Sequence, residues 1–583
     1  MSAQSPSVKG GIELGVARRR LRLSPTALLV PATAFLLVFY GWPVVNVLRQ
    51  SLFDHGFTVR EYTRAFEPAY RNILLHTVEI ALSAAGLSLL FGYPTAYVMA
   101  RARPRVRVVM ILVVSAAYLS NPLARNYAWI FMLGNRGVVN DTLLRLHIIH
   151  RPLILIFNRT GLLVGMVHIL MPTVILVLLA TMVTVGEEPL RAAASLAAGP
   201  FTAFRRAYFP QTMSGVVAGF VLAFVIGSAI FTTAAMLGGQ GEFMMSNEIV
   251  DQVQELNWAF AGALAVILLA VILVAILVVQ RFFGAGALVD RGGVTARNAP
   301  VRVVRVHEGR VTAAVDAVLN PCWRWLNPVI AVLVMVYLSL PLLIILPISL
   351  GRSNFISWPP SGITSKWYRT YASSPEWLHA TANSFEIAGI TTLVALILGL
   401  PAALGLARSR SRLRGPVLAF MLSPLIIPNI IAAIGILFFF SKFNFTGNIY
   451  AVALGDSVEA LPLATLVMLA ALRNFDPAIE RAAASLGAGP LRTIFKVTLP
   501  ILAAATATAA LFAFMHSFNS LLMAMFVGGI NATTLSKQMW QSLDDYEPTI
   551  TAVSMMMIGL ALIVFLGLRM LQRRDRTGSL KDA

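Results

Sequence analysis

Long apolar runs separated by short polar segments dominate the chain. A helix needs about 20 predominantly apolar residues to cross the hydrocarbon core of a bilayer, and twelve segments qualify. The first six lie near 25–49, 72–100, 108–133, 160–183, 212–237 and 258–282, and the second six near 324–350, 381–407, 415–441, 450–472, 501–528 and 548–570. Pro43, Pro94, Pro341, Pro401 and Pro428 fall inside these runs. Proline kinks a helix and is tolerated in membranes, where neighbouring groups re-satisfy the freed backbone. The expected fold is an all-α polytopic membrane protein.

The pattern also repeats. Gly92–Arg107 (GYPTAYVMARARPRVR) and Gly399–Arg414 (GLPAALGLARSRSRLR) share 8 of 16 residues, including four alternating arginines. Leu190–Pro200 (LRAAASLAAGP) and Glu480–Pro490 (ERAAASLGAGP) share 9 of 11, and Pro210 and Pro500 keep the same offset of 290. The earlier pair is offset by 307, so the first half holds about 17 extra residues, which fit in the loop 134–159. Six spans per half make the halves parallel repeats, related by an axis along the membrane normal. The expected organisation is a tail 1–24, a first half 25–282 with a repeated loop 184–210, a connector 283–323, a second half 324–572 with a repeated loop 474–500, and a tail 573–583.

Composition agrees with this reading and narrows it. With 57% hydrophobic and 12% charged residues and a mean hydropathy of +0.76, a soluble enzyme, a DNA-binding protein and a disordered scaffold are excluded. The net charge of +20 would suggest nucleic acid in a soluble protein. Here Lys and Arg concentrate in the tails, the connector and the loops after spans 2, 4, 8 and 10. Such clusters mark cytoplasmic segments, so both termini are expected in the cytoplasm, with no nucleic-acid partner. The loop 134–159, with Arg136, Arg145, Arg151 and Arg159, runs against the trend. The first apolar run, preceded by Lys9 and Arg18-Arg19-Arg20-Leu21-Arg22, is too long for a signal-peptide core and reads as an uncleaved span. Cys322 is the only cysteine, which excludes a disulfide framework and a cysteine-based metal site.

The two repeated loops hold a short alanine-rich helix ended by Gly-Pro punctuation. Gly487 and Gly489 can stop the second by adopting left-handed conformations, and Pro490 prevents its continuation. An alanine face, at Ala193 and Ala483, lets another protein approach closely, and Glu188, Arg191, Glu480 and Arg481 can set register with it. An interfacial amphipathic helix is the alternative, but it would not explain the duplication.

These loops resemble the EAA loop of binding-protein-dependent ABC importer permeases, roughly E-A-A-x-x-x-G followed after about a dozen residues by L-P. Gly487 and Leu499-Pro500 match in the second loop. In the first, Ala197 stands for the glycine and Phe209-Pro210 for L-P. The motif's glutamate aligns with Arg191 and Arg481, while Glu480 stands one position earlier and Glu188 three positions before Arg191. By this resemblance each loop is a coupling helix seated on an ATP-binding subunit, with Gly199 and Gly489 among its residues. Two loops imply two copies of that subunit, which would carry ATP and Mg. The chain has no Gly-Lys dipeptide and hence no Walker A motif, so it is read as a permease and not an enzyme, with no cofactor of its own.

The resemblance reaches the pathway too. Arg125, Tyr127 and Trp129 (Arg125-Asn-Tyr-Ala-Trp129) resemble the R-x-Y-A-W stretch of spermidine/putrescine permeases, as do Gly137–Asn140, Leu153–Phe157 and, in outline, Asn247–Trp258. Ser517-Phe518-Asn519, Leu535–Trp540 and Asp544 are similar to S-F-D and L-P-x-x-x-W runs of the polyamine type, with Asn519 in place of the acid. Acidic residues within spans are functional candidates. Glu79 and Glu386, equivalent in the repeat, either line a cation entrance or snorkel to the interface. The acidic loop 238–257 either attracts a cation or meets a basic edge of a binding protein. His516 faces the pathway or packs on a neighbour, and Trp129, Trp258 and Trp540, near span ends, read by default as interfacial anchors. His147 and His150 lack the further ligands a metal needs, so no metal site is expected.

The resulting expectation is a multi-pass permease of the bacterial inner membrane, fed by a periplasmic or lipid-anchored solute-binding protein. It would import a polyamine or similar organic cation, with an opine, aminophosphonate or ferric ion as the alternative. A secondary transporter driven by an ion gradient is the rival from another class. It would require charged relays in mid-span, where few charges are read.

Overall fold

In a computed structural model, the chain is described over residues 25–53, 56–283, 310–353, 358–360, 362–409, 411–543 and 548–578. The tail 1–24, most of the connector (284–309), Asp544 and residues 579–583 lie outside the described residues. The fold is all-α, and among the described residues only two isolated bridges interrupt it.

Among the described residues, eight helices are long and apolar enough to cross a membrane: Ala27–Leu52, Pro68–Arg101, Arg159–Val185, Pro200–Ala229, Trp258–Phe283, Val318–Ser349, Pro375–Arg408 and Ile449–Arg473. Three bent pairs raise the number to 11, and Thr549–Val564 is a shorter apolar helix. Proline opens many of these helices, at Pro68, Pro122, Pro375 and Pro490 among others. There its missing N–H is one the helix leaves free anyway. Asn158 and Asn448, 290 residues apart, cap equivalent helices by accepting the N–H of Gly161 and Ala451 at 3.0 and 2.9 Å.

Two expected spans are not single helices. The run 108–133 breaks between Pro104–Leu119 and Pro122–Arg145 with a bend of 98°, and the run 415–441 breaks between Arg414–Leu425 and Asn429–Ser441 with a bend of 94°. Proline disfavours the α conformation in the residue before it. Asn121, before Pro122, is accordingly extended, and the second run turns at Pro428, which precedes the helix Asn429–Ser441. The runs 212–237 and 501–528 also stop early, at Ala229 and Phe518. Residues 310–323 of the expected connector are helical, the start of a helix that runs over Arg310–Ser349.

Each repeat's first helix packs on the other repeat. Leu29, Leu36 and Tyr40 are buried with Ala402, Ala403 and Leu461, while Ala331, Val334 and Leu338 are buried with Ile80, Met166 and Leu170. The crossing is close: a Cβ on Gly435 would fall 2.9 Å from the Pro43 backbone.

Candidate functional site

The chain breaks converge. Ser120 and Pro122, Ile427 and Pro428, Ile230 and Phe231, and Ser520 and Leu521 line one cavity of about 400 Å³ between the repeats. Irregular backbone at membrane depth is tolerated only where it is buried in protein or lines a cavity, and these four breaks meet that condition together. Asn121 joins them across the repeats: it caps its own helix through the Leu123 N–H at 2.8 Å and donates to Asn519 Oδ1 at 3.2 Å and Ser536 Oγ at 3.0 Å.

The cavity is chemically lopsided. Asp456 and Glu459, one turn apart on Ile449–Arg473, reach its wall with His516 and Asn519. Ser517 Oγ donates to Asp456 Oδ2 at 2.6 Å, and His516 Nε2 lies 3.5 Å from Glu459 Oε2. The residues 290 positions before Glu459, His516 and Asn519 are Ile169, Ile226 and Ala229, and they line the same cavity. One repeat thus supplies carboxylates where the other supplies hydrocarbon. The first repeat's charge is Arg125, which is buried, lines the cavity, donates to the Ala117 carbonyl at 2.8 Å and leaves Nε without a hydrogen-bond partner.

Of the expected pathway residues, Arg125, His516 and Asn519 line the cavity, and Ser517 stands behind it, holding Asp456. Tyr127 is buried in the core. Trp129 is no interfacial anchor: it is buried, with its ring 5.6 Å from His168 and 5.3 Å from Tyr337. Trp258 and Trp540 pack on Phe438 and Phe231 at 5.2 and 5.0 Å. Glu79 and Glu386 are exposed and away from the cavity, Glu79 pairing with Arg159 at 2.6 Å. In the acidic loop, Glu242 pairs with His76 at 2.8 Å. Asn140 fastens the inserted loop, exchanging hydrogen bonds with the Leu153 backbone at 2.8 and 2.9 Å. No cluster of metal-ligating side chains occurs among the described residues.

Asp456 and Glu459 are not among the residues expected from sequence. The signal was there: two acids three apart inside an apolar run cannot both face lipid. Which wall they face follows only from packing.

The repeated loops form matching helices, Glu188–Ser195 and Pro477–Ser485. Glu188, Arg191 and Arg481 are exposed and Ala193 and Ala483 half-buried. Each helix ends in one left-handed residue, Ala197 (φ 59°) or Gly487 (φ 86°), and then the Ala198 or Ala488 N–H returns to the Ala193 or Ala483 carbonyl at 3.2 or 3.1 Å. Gly489, expected to be left-handed, is extended with φ −70°, as is Gly199, and each precedes the next helix as its cap. The turn projects Leu196 and Leu486, 83% and 89% exposed. Glu480 does not point outward; it turns inward to accept from Arg408 and from Thr498 Oγ1, the latter at 2.6 Å. In the first repeat Arg101 takes the place of Arg408 and Tyr208 that of Thr498, and the guanidinium lies over the Tyr97 and Tyr208 rings at 3.7 and 4.4 Å. One anchoring arginine is thus held by a carboxylate in one repeat and by ring faces in the other.

Residues 395–577 match the family described as binding-protein-dependent transport system inner membrane component. The spermidine/putrescine transport system permease protein PotB of Escherichia coli (strain K12) is 29% identical over 265 residues, which are 44% of this chain and 96% of the relative. PotB of Salmonella typhimurium (strain LT2) is 30% identical over 39% of this chain and 79% of the relative. The putrescine transport system permease protein PotI of Escherichia coli (strain K12) is 30% identical over 42% of this chain and 89% of the relative. Nearly a whole relative therefore fits within less than half of this chain. Among solved structures, a bacterial alginate ABC transporter in complex with a periplasmic protein bound to alginate pentasaccharide shares 18% identity at a TM-score of 0.39, covering 44% of this chain and 94% of that one.

Proposed function

We propose, from the premise that this chain belongs to the binding-protein-dependent transport system inner membrane component family and is a multi-pass inner membrane protein, that it is the permease of an ATP-driven importer for a polyamine or similar small organic cation. The observation that carries this substrate class is the pair Asp456 and Glu459 on the cavity wall. An ammonium group entering there exchanges water for carboxylates held in place by Ser517 and His516. The names of the similar PotB and PotI proteins favour the same class.

In this reading a soluble or lipid-anchored binding protein delivers the solute from outside. The helices Glu188–Ser195 and Pro477–Ser485 each seat on one copy of an ATP-binding subunit, with Leu196 and Leu486 as apolar knobs. Lys and Arg clustered beside both loops favour a cytoplasmic position for them and for both termini. Arg125, which lines the same cavity, favours a second reading, in which the solute also carries an anionic group, as an opine or aminophosphonate does.

The test is to purify the tagged chain from native membranes and identify its companions. Co-purification of an ATPase with Walker motifs and a binding protein supports the importer, and ligands of that binding protein then distinguish amine from amino-acid-like solutes. A chain that purifies alone and transports without ATP refutes it in favour of an ion-gradient-driven carrier, for which Asp456 and Glu459 would be the relay.

A further inference from the structure

The helix Arg310–Ser349 grips the part of the first repeated loop that follows its helix Glu188–Ser195. Arg205 forms a two-pronged pair with Asp316, Nε to Oδ1 at 3.0 Å and Nη2 to Oδ2 at 2.7 Å. One turn further, Asn320 Oδ1 accepts the backbone N–H groups of Phe201 and Thr202 at 2.9 and 3.3 Å, and its Nδ2 donates to Thr202 Oγ1 at 3.2 Å. Those N–H groups open the helix beginning at Pro200 and have no partner within it. Another turn on, the Trp323 ring lies 4.5 Å from Phe204 and 5.0 Å from Phe201. Three successive turns thus contact one short stretch of chain by an ion pair, a cap and ring packing.

The repeated sequence makes the contact unequal. A Cβ on Gly199 would fall 2.4–2.8 Å from the Asn320 amide atoms, so only glycine admits the cap. The same Ala-Gly-Pro recurs at Ala488-Gly489-Pro490, where a Cβ on Gly489 meets nothing within 4 Å. Beyond Trp323 the helix continues as the first span of the second repeat, packed along the first repeat's core. Tyr337 donates to the Val164 carbonyl at 2.5 Å, and Ile344 and Ile348 lie in one cluster with Trp129.

We propose that Asp316 and Asn320 are positioning residues that lock the first loop to this helix, so that movement of the loop on its ATP-binding subunit is carried into the second repeat as well as the first. This inference rests on the coupling reading of the loops. The Arg205 guanidinium beside Asp316 holds its carboxyl below the usual range, so that carboxyl is ionised at physiological pH. A bidentate pair is rigid in both distance and angle, which is what a register-setting contact requires.

The test uses the full chain assembled with the ATP-binding subunits and the binding protein that co-purify with it, in nanodiscs. The quantity read is the factor by which the loaded binding protein stimulates ATP hydrolysis, since that signal must cross from the outer face to the loops. Coupling between distant sites is commonly worth about 5–150-fold, so Asp316→Asn and Asn320→Ala are each expected to reduce the stimulation at least about fivefold. The double exchange Arg205→Asp with Asp316→Arg should restore it. Either single variant stimulated as the wild type is, or an exchange that fails to restore although the assembled complex elutes as the wild type does, overturns the proposal. If the wild-type chain recruits no ATP-binding subunit, the coupling reading itself has failed, and this inference fails with it.

Discussion

Replacing Glu459 by Gln, alone and with Asp456→Asn, tests the cavity directly. Both replacements keep side-chain volume and remove charge, so the wall's shape is retained while its field is lost. Two unit charges about 4 Å apart interact by about 4 kcal/mol at an effective dielectric constant of about 20. Desolvation of the incoming ammonium offsets part of this, and hydrogen bonds to charged groups contribute about 1.5–3 kcal/mol net. Each 1.4 kcal/mol is a factor of ten, so Glu459→Gln is expected to lower transport of an organic cation by about 10- to 100-fold. The double variant should fall further, by less than the product, because the two acids are one turn apart and share a ligand. The assay is the initial rate of ATP-dependent uptake in proteoliposomes at saturating loaded binding protein, using the solute that this binding protein carries. Placing a carboxylate at Ile169, which holds Glu459's equivalent position in the first repeat and lines the same cavity, gives the reciprocal change: the field increases while the second repeat is untouched. Uptake by the double variant within twofold of wild type would refute the view that these carboxylates meet the solute.

Leu196→Asp and Leu486→Asp lie on the surface, where substitutions change stability by less than about 0.5 kcal/mol, so each should leave the melting temperature in detergent unchanged and abolish co-purification of the ATP-binding subunits. Gly435→Ala presses a methyl group against the Pro43 backbone at 2.9 Å and should cost about 1–3 kcal/mol, read as a lowered thermal midpoint. Gly389→Ala, whose Cβ meets nothing within 4 Å, should stabilise its helix by up to about 1 kcal/mol. Because the folded Asp316 carboxyl titrates below its unfolded value of about 3.9, its contribution is complete above that value and is lost only as pH falls through the lowered one. The difference in thermal midpoint between wild type and Asp316→Asn should therefore stay constant from about pH 5 to 8 and shrink only in stronger acid.

Much of this protein follows from local pattern. Apolar runs placed the membrane helices because span length is dictated by bilayer thickness, and the duplicated Ala-rich loops placed two matching helices because alanine favours helix and Gly-Pro ends it. The left-handed turn after each loop helix occurs at Ala197 as well as at Gly487, so the position, and not the glycine alone, carries the geometry. Arg125 and Asn519 could be singled out because their stretches resemble runs of polyamine-type permeases, and His516 because it stands beside the second of them.

Tertiary structure decided the rest. Periodicity cannot distinguish a straight span from one that breaks into a cavity, since both halves of a broken helix remain apolar; the bends at Asn121 and Pro428 became visible as a site only when four breaks met. Asp456 and Glu459 could be named as costly from sequence, but the wall they occupy depends on how Ile449–Arg473 is rotated against its neighbours. The grip of Asp316 and Asn320 on the first loop joins residues more than 100 positions apart. Such contacts depend on which helices pack together, and here each repeat's first helix packs on the other repeat, an exchange that no local propensity encodes.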